Sequence, residues 1–204
     1  MARPRQFDTE AALQSALLVF WNKGYEGASL TDLADAMAIG RPSLHAAFGT
    51  KEELYRKALQ RYVSNTFGFA KQALAAPTAA DVAKNYLVGY CARLTRPEDP
   101  SGCLLIKGVT AHGEGAAIAR KEVADGQTAF EAALTQRFYR AQQEGDLAAD
   151  ADAPTLAACL TTIARGLAVR ADSGASFEEL HQIALALGSP LVQQALPSKV
   201  GESA

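Results

Sequence analysis

Cysteine is scarce: Cys91, Cys103 and Cys159 are the only three in 204 residues. An odd number at such wide spacing forms neither a disulfide framework nor a zinc motif, so a reduced interior is expected. Histidine is equally rare, and no two of His45, His112 and His181 stand at ligand spacing. There is no Gly-x-Ser-x-Gly and no phosphate-binding glycine loop; Gly113-Glu-Gly115 lacks the third glycine and the preceding strand, and reads as a turn. An enzyme is therefore not expected, nor any cofactor or metal. No stretch approaches the roughly 18 apolar residues of a membrane span. The segment Met1–Asp8 has basic residues without an apolar core behind them, which is not the pattern of a leader. Charge of one sign is missing too. Twenty Lys and Arg face 22 Asp and Glu, for a net charge of −2, so any contact with nucleic acid must be local. The first 62 residues carry +1 and the rest −3.

What is abundant is apolar and helix-forming. Hydrophobic residues make up 49% of the chain, enough for a sizeable core, and runs of alternating β-branched residues are absent. A first helix is expected from about Thr9 to Lys23, capped by Asp8 or Thr9 and stopped by Gly24. A second starts after Ser29, with Asp32 completing a capping box. Gly40 breaks the chain before a very short helix from Arg41 to Phe48, whose first turn tolerates Pro42. Gly49 ends it, and Thr50-Lys-Glu-Glu53 opens a fourth helix expected to run unbroken to about Ala75. Three short helices separated in this way read as a helix-turn-helix, in which a small exposed helix can enter a DNA major groove.

The segment Ser29–Leu54 resembles the DNA-binding domain of the TetR/AcrR family of bacterial repressors, and Ala16–Tyr25 resembles that family's first helix with its Gly-Tyr ending. The run Gly102-Cys-Leu-Leu105 is similar to a feature of one branch. The resemblance implies an all-α fold of about nine helices, with a helix-turn-helix head joined by a long helix to a ligand-binding and dimerisation bundle. The corresponding domains are 1–50, 51–190 and a frayed tail, 191–204. It implies a cytoplasmic, ligand-responsive repressor that binds a roughly palindromic duplex operator as a homodimer. It also implies roles that chemistry permits. Arg41 would fork onto guanine or bridge phosphates, Ser43 would donate to either, and Pro42 would touch a thymine methyl. Ser29 and Thr31, at a helix N-terminus, suit phosphate. Lys51 would hold the backbone on the other flank, and Arg3 and Arg5 form an arm toward a minor groove. One position departs: where the family usually carries Tyr, this chain has His45, a shorter donor.

The remainder reads as a second bundle. Helices are expected from about Ala80 to Arg96, from Cys103 to about His112, along Val123–Ala141, from Pro154 onward, and from Phe177 to Leu187, with Pro97–Gly102 as the clearest loop. Residues 62–139 hold eight aromatics and residues 140–204 only Phe177. Aromatic walls with a few hydroxyls suit a small apolar or aromatic effector, and Tyr62, Phe67, Tyr86, Tyr90, Phe130, Leu134 and Phe138 are the expected lining. The eighth helix carries a large stripe (Leu156, Leu160, Ile163, Leu167) beside a small one (Ala157, Thr161, Ala164, Ala168). The large stripe is read as the chain's own core. The small one, with Ile183 and Leu187 of the last helix, is read as the dimer interface. Cys103, after Pro-Ser-Gly at a helix start, is a candidate redox thiol. Two alternatives stay open: a helical sensor without DNA binding, and a thiol-based redox-responsive regulator acting through Cys103.

Overall fold

The computed structural model describes residues 7–66, 68–109 and 116–195. All regular elements among them are helices, as expected. They are α1 (Thr9–Gly27), α2 (Leu30–Ala36), α3 (Arg41–Phe48), α4 (Lys51–Thr66), α5 (Gly68–Leu74), α6 (Ala79–Leu94), α7 (Leu104–Val109), α8 (Ala116–Gln143), α9 (Ala153–Asp172) and α10 (Phe177–Gln193). The expected helix Lys51–Ala75 is represented by α4 and α5, on either side of Phe67, which lies outside the described residues. No described helix is long and apolar enough to cross a membrane.

Several helices start where short polar side chains can satisfy free amides. Asp8 accepts from the amides of Glu10 and Ala11. Ser29 and Asp32 form a reciprocal capping box, and so do Ser176 and Glu179. At α4, Thr50 accepts from the Glu53 amide at 3.2 Å while Glu53 takes the Thr50 amide at 2.8 Å. Gly24 (φ 70°) bends α1 where a stop is expected.

Two compact units form. The first comprises residues 1–66 and 97–125, the second residues 67–96 and 126–204. In the first, α1 packs on α4 through sealed rings. Phe20 meets Tyr55 edge-on at 4.8 Å, Trp21 meets Tyr62 at 4.9 Å, and Leu33, Leu44 and Phe48 are buried beside them. Each such side chain contributes about 1.5–3 kcal/mol by leaving water. In the second, α6 is the hub, packed against α5, α9 and α10.

Two expectations need correction here. The last helix does not stop near Leu187 but continues through Pro190 to Gln193. A Cβ at Gly188 would stand 3.2 Å from the Lys84 Cα, so only glycine lets α10 press this closely on α6. That packing, with Val192 fully buried, sustains the turn that Pro190 weakens. The small stripe of α9 is likewise not left over. Ala157, Thr161, Ala164 and Ala168 are all buried within the chain, and Thr161 donates to Glu131 at 2.7 Å. Large and small stripes are adjacent on the helix and form one broad inward face. The outward face holds Thr155, Thr162, Gly166 and Val169 instead.

Candidate nucleic-acid interface

The short α3 is built to present its polar side outward. Leu44 and Phe48, four residues apart, are buried and anchor it, while Arg41, Pro42, Ser43 and His45 are exposed. Its N-cap is Gly40, which has no side chain to spend on the first amides. At the other end Gly49 (φ 82°) turns the chain, and a Cβ there would collide with the Glu53 carboxylate. Lys57 of α4 donates to the Phe48 carbonyl at 3.3 Å and lies 5.6 Å from the Phe48 ring centroid. A cation thus sits on the negative end of the helix. Between the second half of α3 and α4 runs an open groove of about 400 Å³, lined in part by His45, Glu53, Arg56, Lys57 and Gln60.

The expected DNA contacts from α2, α3 and α4 share this unit. Arg41 donates through Nη2 to the Thr31 hydroxyl, joining the starts of α3 and α2. Thr31 keeps its own O–H for another acceptor. Ser29 is more heavily committed. Its hydroxyl donates to Asp32 at 2.7 Å and accepts the Asp32 amide at 3.0 Å. Asp32 is further held by the Lys23 ammonium at 2.5 Å. Lys23 and then Ser29 hold its carboxyl well below the usual carboxylate range. Lys51 is half-buried, its Nζ 4.5 Å from the Tyr25 ring centroid. Burial pulls its pKa down, against the pull of Glu26. Arg3 and Arg5 lie outside the described residues.

Two family profiles match. Residues 12–58 match "Bacterial regulatory proteins, tetR family", and residues 80–186 match "Tetracyclin repressor-like, C-terminal domain". The transcriptional repressor ComR of Escherichia coli K12 is 31% identical over 188 residues, covering 89% of this chain and 88% of its own. The repressor BdcR of the same strain is 28% identical, covering 93% and 91%.

The chain belongs to the TetR family.

Among solved structures, a cysteine-substituted variant of the TetR-family regulator CifR, complexed with 26-bp double-strand operator DNA, is 37% identical with a TM-score of 0.85. The match covers 96% of this chain and all of that one. This TetR-family chain is thus a transcriptional regulator of the helix-turn-helix type and not an enzyme.

The second unit of this TetR-family regulator gathers most of the expected pocket rings. Tyr86 and Tyr90 stack at 6.2 Å, Phe130 meets Tyr86 at 4.8 Å, and Phe69 stacks on both tyrosines at 6.1 and 6.0 Å. Phe69 was not among the expected lining, although its aromatic character was visible. Leu134 and Phe138 follow Phe130 along α8 and are fully buried. Phe67 lies outside the described residues. Tyr62 sits in the first unit instead, in the core against Trp21, and its hydroxyl donates to the Cys103 sulfur at 3.3 Å. Cys103 is 1% exposed, which denies an oxidant the access that a redox thiol needs. Cys91 is buried, and burial pushes its thiol up to about 11. Ile183 is half-buried and Leu187 exposed, so these two of the expected interface residues remain available on α10.

Proposed function

We propose that the protein is a cytoplasmic repressor that binds a roughly palindromic operator as a homodimer and is released by a small molecule. In this reading residues 1–50 contact DNA, while 51–190 hold the effector and the dimer contact. The observation that carries it is the exposed side of α3, where Arg41, Pro42, Ser43 and His45 face solvent over the sealed anchors Leu44 and Phe48. A helix so presented fits the major groove, and Thr31 and Lys51 supply phosphate contacts on either flank. The names of ComR and BdcR favour repression, and the operator complex of CifR favours a duplex target.

Dimerisation is assigned to the outward face of α9 and α10. Val169 is 54% exposed and Leu187 43%, with Leu185 and Phe177 also open to water. Large apolar side chains exposed on two helices that pack together are costly in a monomer and natural at an interface. Two-fold symmetry would place the recognition helices one DNA turn apart, about 34–36 Å. The test is selection of bound duplexes from a random pool, with footprinting and sedimentation of the complex. A dyad-symmetric footprint under a dimer is expected. A monomer at micromolar concentration with an asymmetric footprint would sink the reading.

A further inference from the structure

Arg137 projects from α8 into the interior of the second unit and is only 8% exposed. Its Nε donates to the Leu74 carbonyl at 3.2 Å, and its Nη2 to the carbonyls of Ala76 and Pro77 at 2.9 Å each. These three bonds explain why the guanidinium is held at the α5–α6 connection. They leave Nη1 unexplained: it is buried and has no hydrogen-bond partner. No described carboxylate pairs with the cation. Two acids at the start of α6 have other partners: Asp146 accepts the Ala79 amide at 2.5 Å, and Asp81 accepts the Thr78 hydroxyl at 2.7 Å. A buried cation with two idle N–H donors and no counter-ion is poised for an anion.

The surroundings say what kind. Phe130 and Arg137 are seven residues apart, hence on one face of α8 and about 10 Å apart along its axis. Leu134 lies between them. At the Phe130 end stand Tyr86 and Tyr90, expected from the sequence to line the effector site, with Phe69 stacked on both. We infer that the effector is an amphipathic carboxylate, its carboxylate on Nη1 of Arg137 and its apolar part against Phe130, Tyr86 and Tyr90. This rests on the reading that the aromatic cluster holds the effector, and it adds a charge to it. Arginine suits a carboxylate because its N–H groups are fixed in a plane and its charge is weakly hydrated. Neutral analogues would leave Nη1 as idle as it is now.

The test uses the full chain and matched pairs of probes: hexanoate, octanoate, decanoate and 4-phenylbutyrate, each against its uncharged amide. Calorimetry measures binding, and fluorescence anisotropy of a selected operator measures release. At least one acid is expected to bind about tenfold more tightly than its amide, about 1.4 kcal/mol. In Arg137→Gln that preference should vanish while amide affinity stays, and Arg137→Lys should restore part of it. Circular dichroism checks that the variants fold, and the comparison of acid with amide in the unaltered protein does not depend on them. Phe130→Ala should weaken acid and amide alike. If acids and amides bind equally and Phe130→Ala weakens both, the anionic requirement is wrong while the aromatic site stands. If no probe of either kind binds, the carboxylate proposal falls. If an acid binds through Arg137 but leaves operator affinity unchanged, the site is real and its role as the effector switch is refuted.

Discussion

The two units place their polar chemistry in opposite ways. In the first, the side chains that would meet DNA stand on the outside of α2, α3 and the start of α4, over apolar anchors that never reach the surface. In the second, the polar group and rings that would meet a ligand are themselves part of the packing: Arg137, Tyr86 and Tyr90 are all buried. The difference teaches that recognition and stability are separable in the head and entangled in the body. A head residue can change its target without touching the core, whereas a large ring of the body is a core residue as well, and removing it alters both.

The largest effect should therefore come from the body. Phe138→Ala, at a ring with no exposure at all, should lower unfolding stability by about 3–5 kcal/mol in chemical denaturation. A loss below about 1 kcal/mol would mean that the site collapses freely and that the contrast with the head is false. Next comes Arg41→Ala. It should cost about 1–3 kcal/mol of operator affinity and relax preference at one base pair, while unfolding stability moves by no more than about 0.5 kcal/mol. Lys51→Ala sharpens the comparison within the head: it should weaken all duplexes alike and flatten the salt dependence by about one phosphate. Matching losses on operator and random DNA for Arg41→Ala would demote Arg41 to a phosphate contact.

The smallest effect is expected in acid. Asp32 is depressed in the folded head, so its contribution is present above the ordinary carboxylate range, near pH 4, and is lost as pH falls through the folded value. The head should weaken as pH drops below about 4, and Asp32→Asn should flatten that slope while weakening the head at neutral pH. An unchanged acid slope would show that the Lys23–Asp32–Ser29 cluster is too well solvated to matter.

Legibility in the sequence followed the range of the interactions. The starts of α2, α4 and α10 could be read because each cap lies within four residues: Ser29 with Asp32, Thr50 with Glu53, Ser176 with Glu179. The exposed side of α3 could be read for the same reason. The end of α10 could not, because Gly188 is explained by the backbone of Lys84, more than a hundred residues earlier. Periodicity found both stripes of α9 but not their partner, since it reports that a face is apolar and not what covers it. Tyr62 was grouped with the pocket by sequence proximity to other rings, yet its neighbours are Trp21 and Cys103. For Arg137 a signal did exist: a charged residue on the apolar face that carries Phe130 and Leu134.

The bond from Arg41 to Thr31 bears on how forgiving this regulator can be. In the proposed complex, with α3 in the groove, the guanidinium would have two homes, a base edge or the neighbouring hydroxyl. At a matching base pair it would exchange one acceptor for a better one, and the gain would be only the difference. At a substituted base pair it would fall back on Thr31, so the mismatch would be softened. Such a reader would grade its sites instead of accepting or refusing them. A set of imperfect operators would then fill in sequence as the concentration of the regulator rises, each at its own threshold.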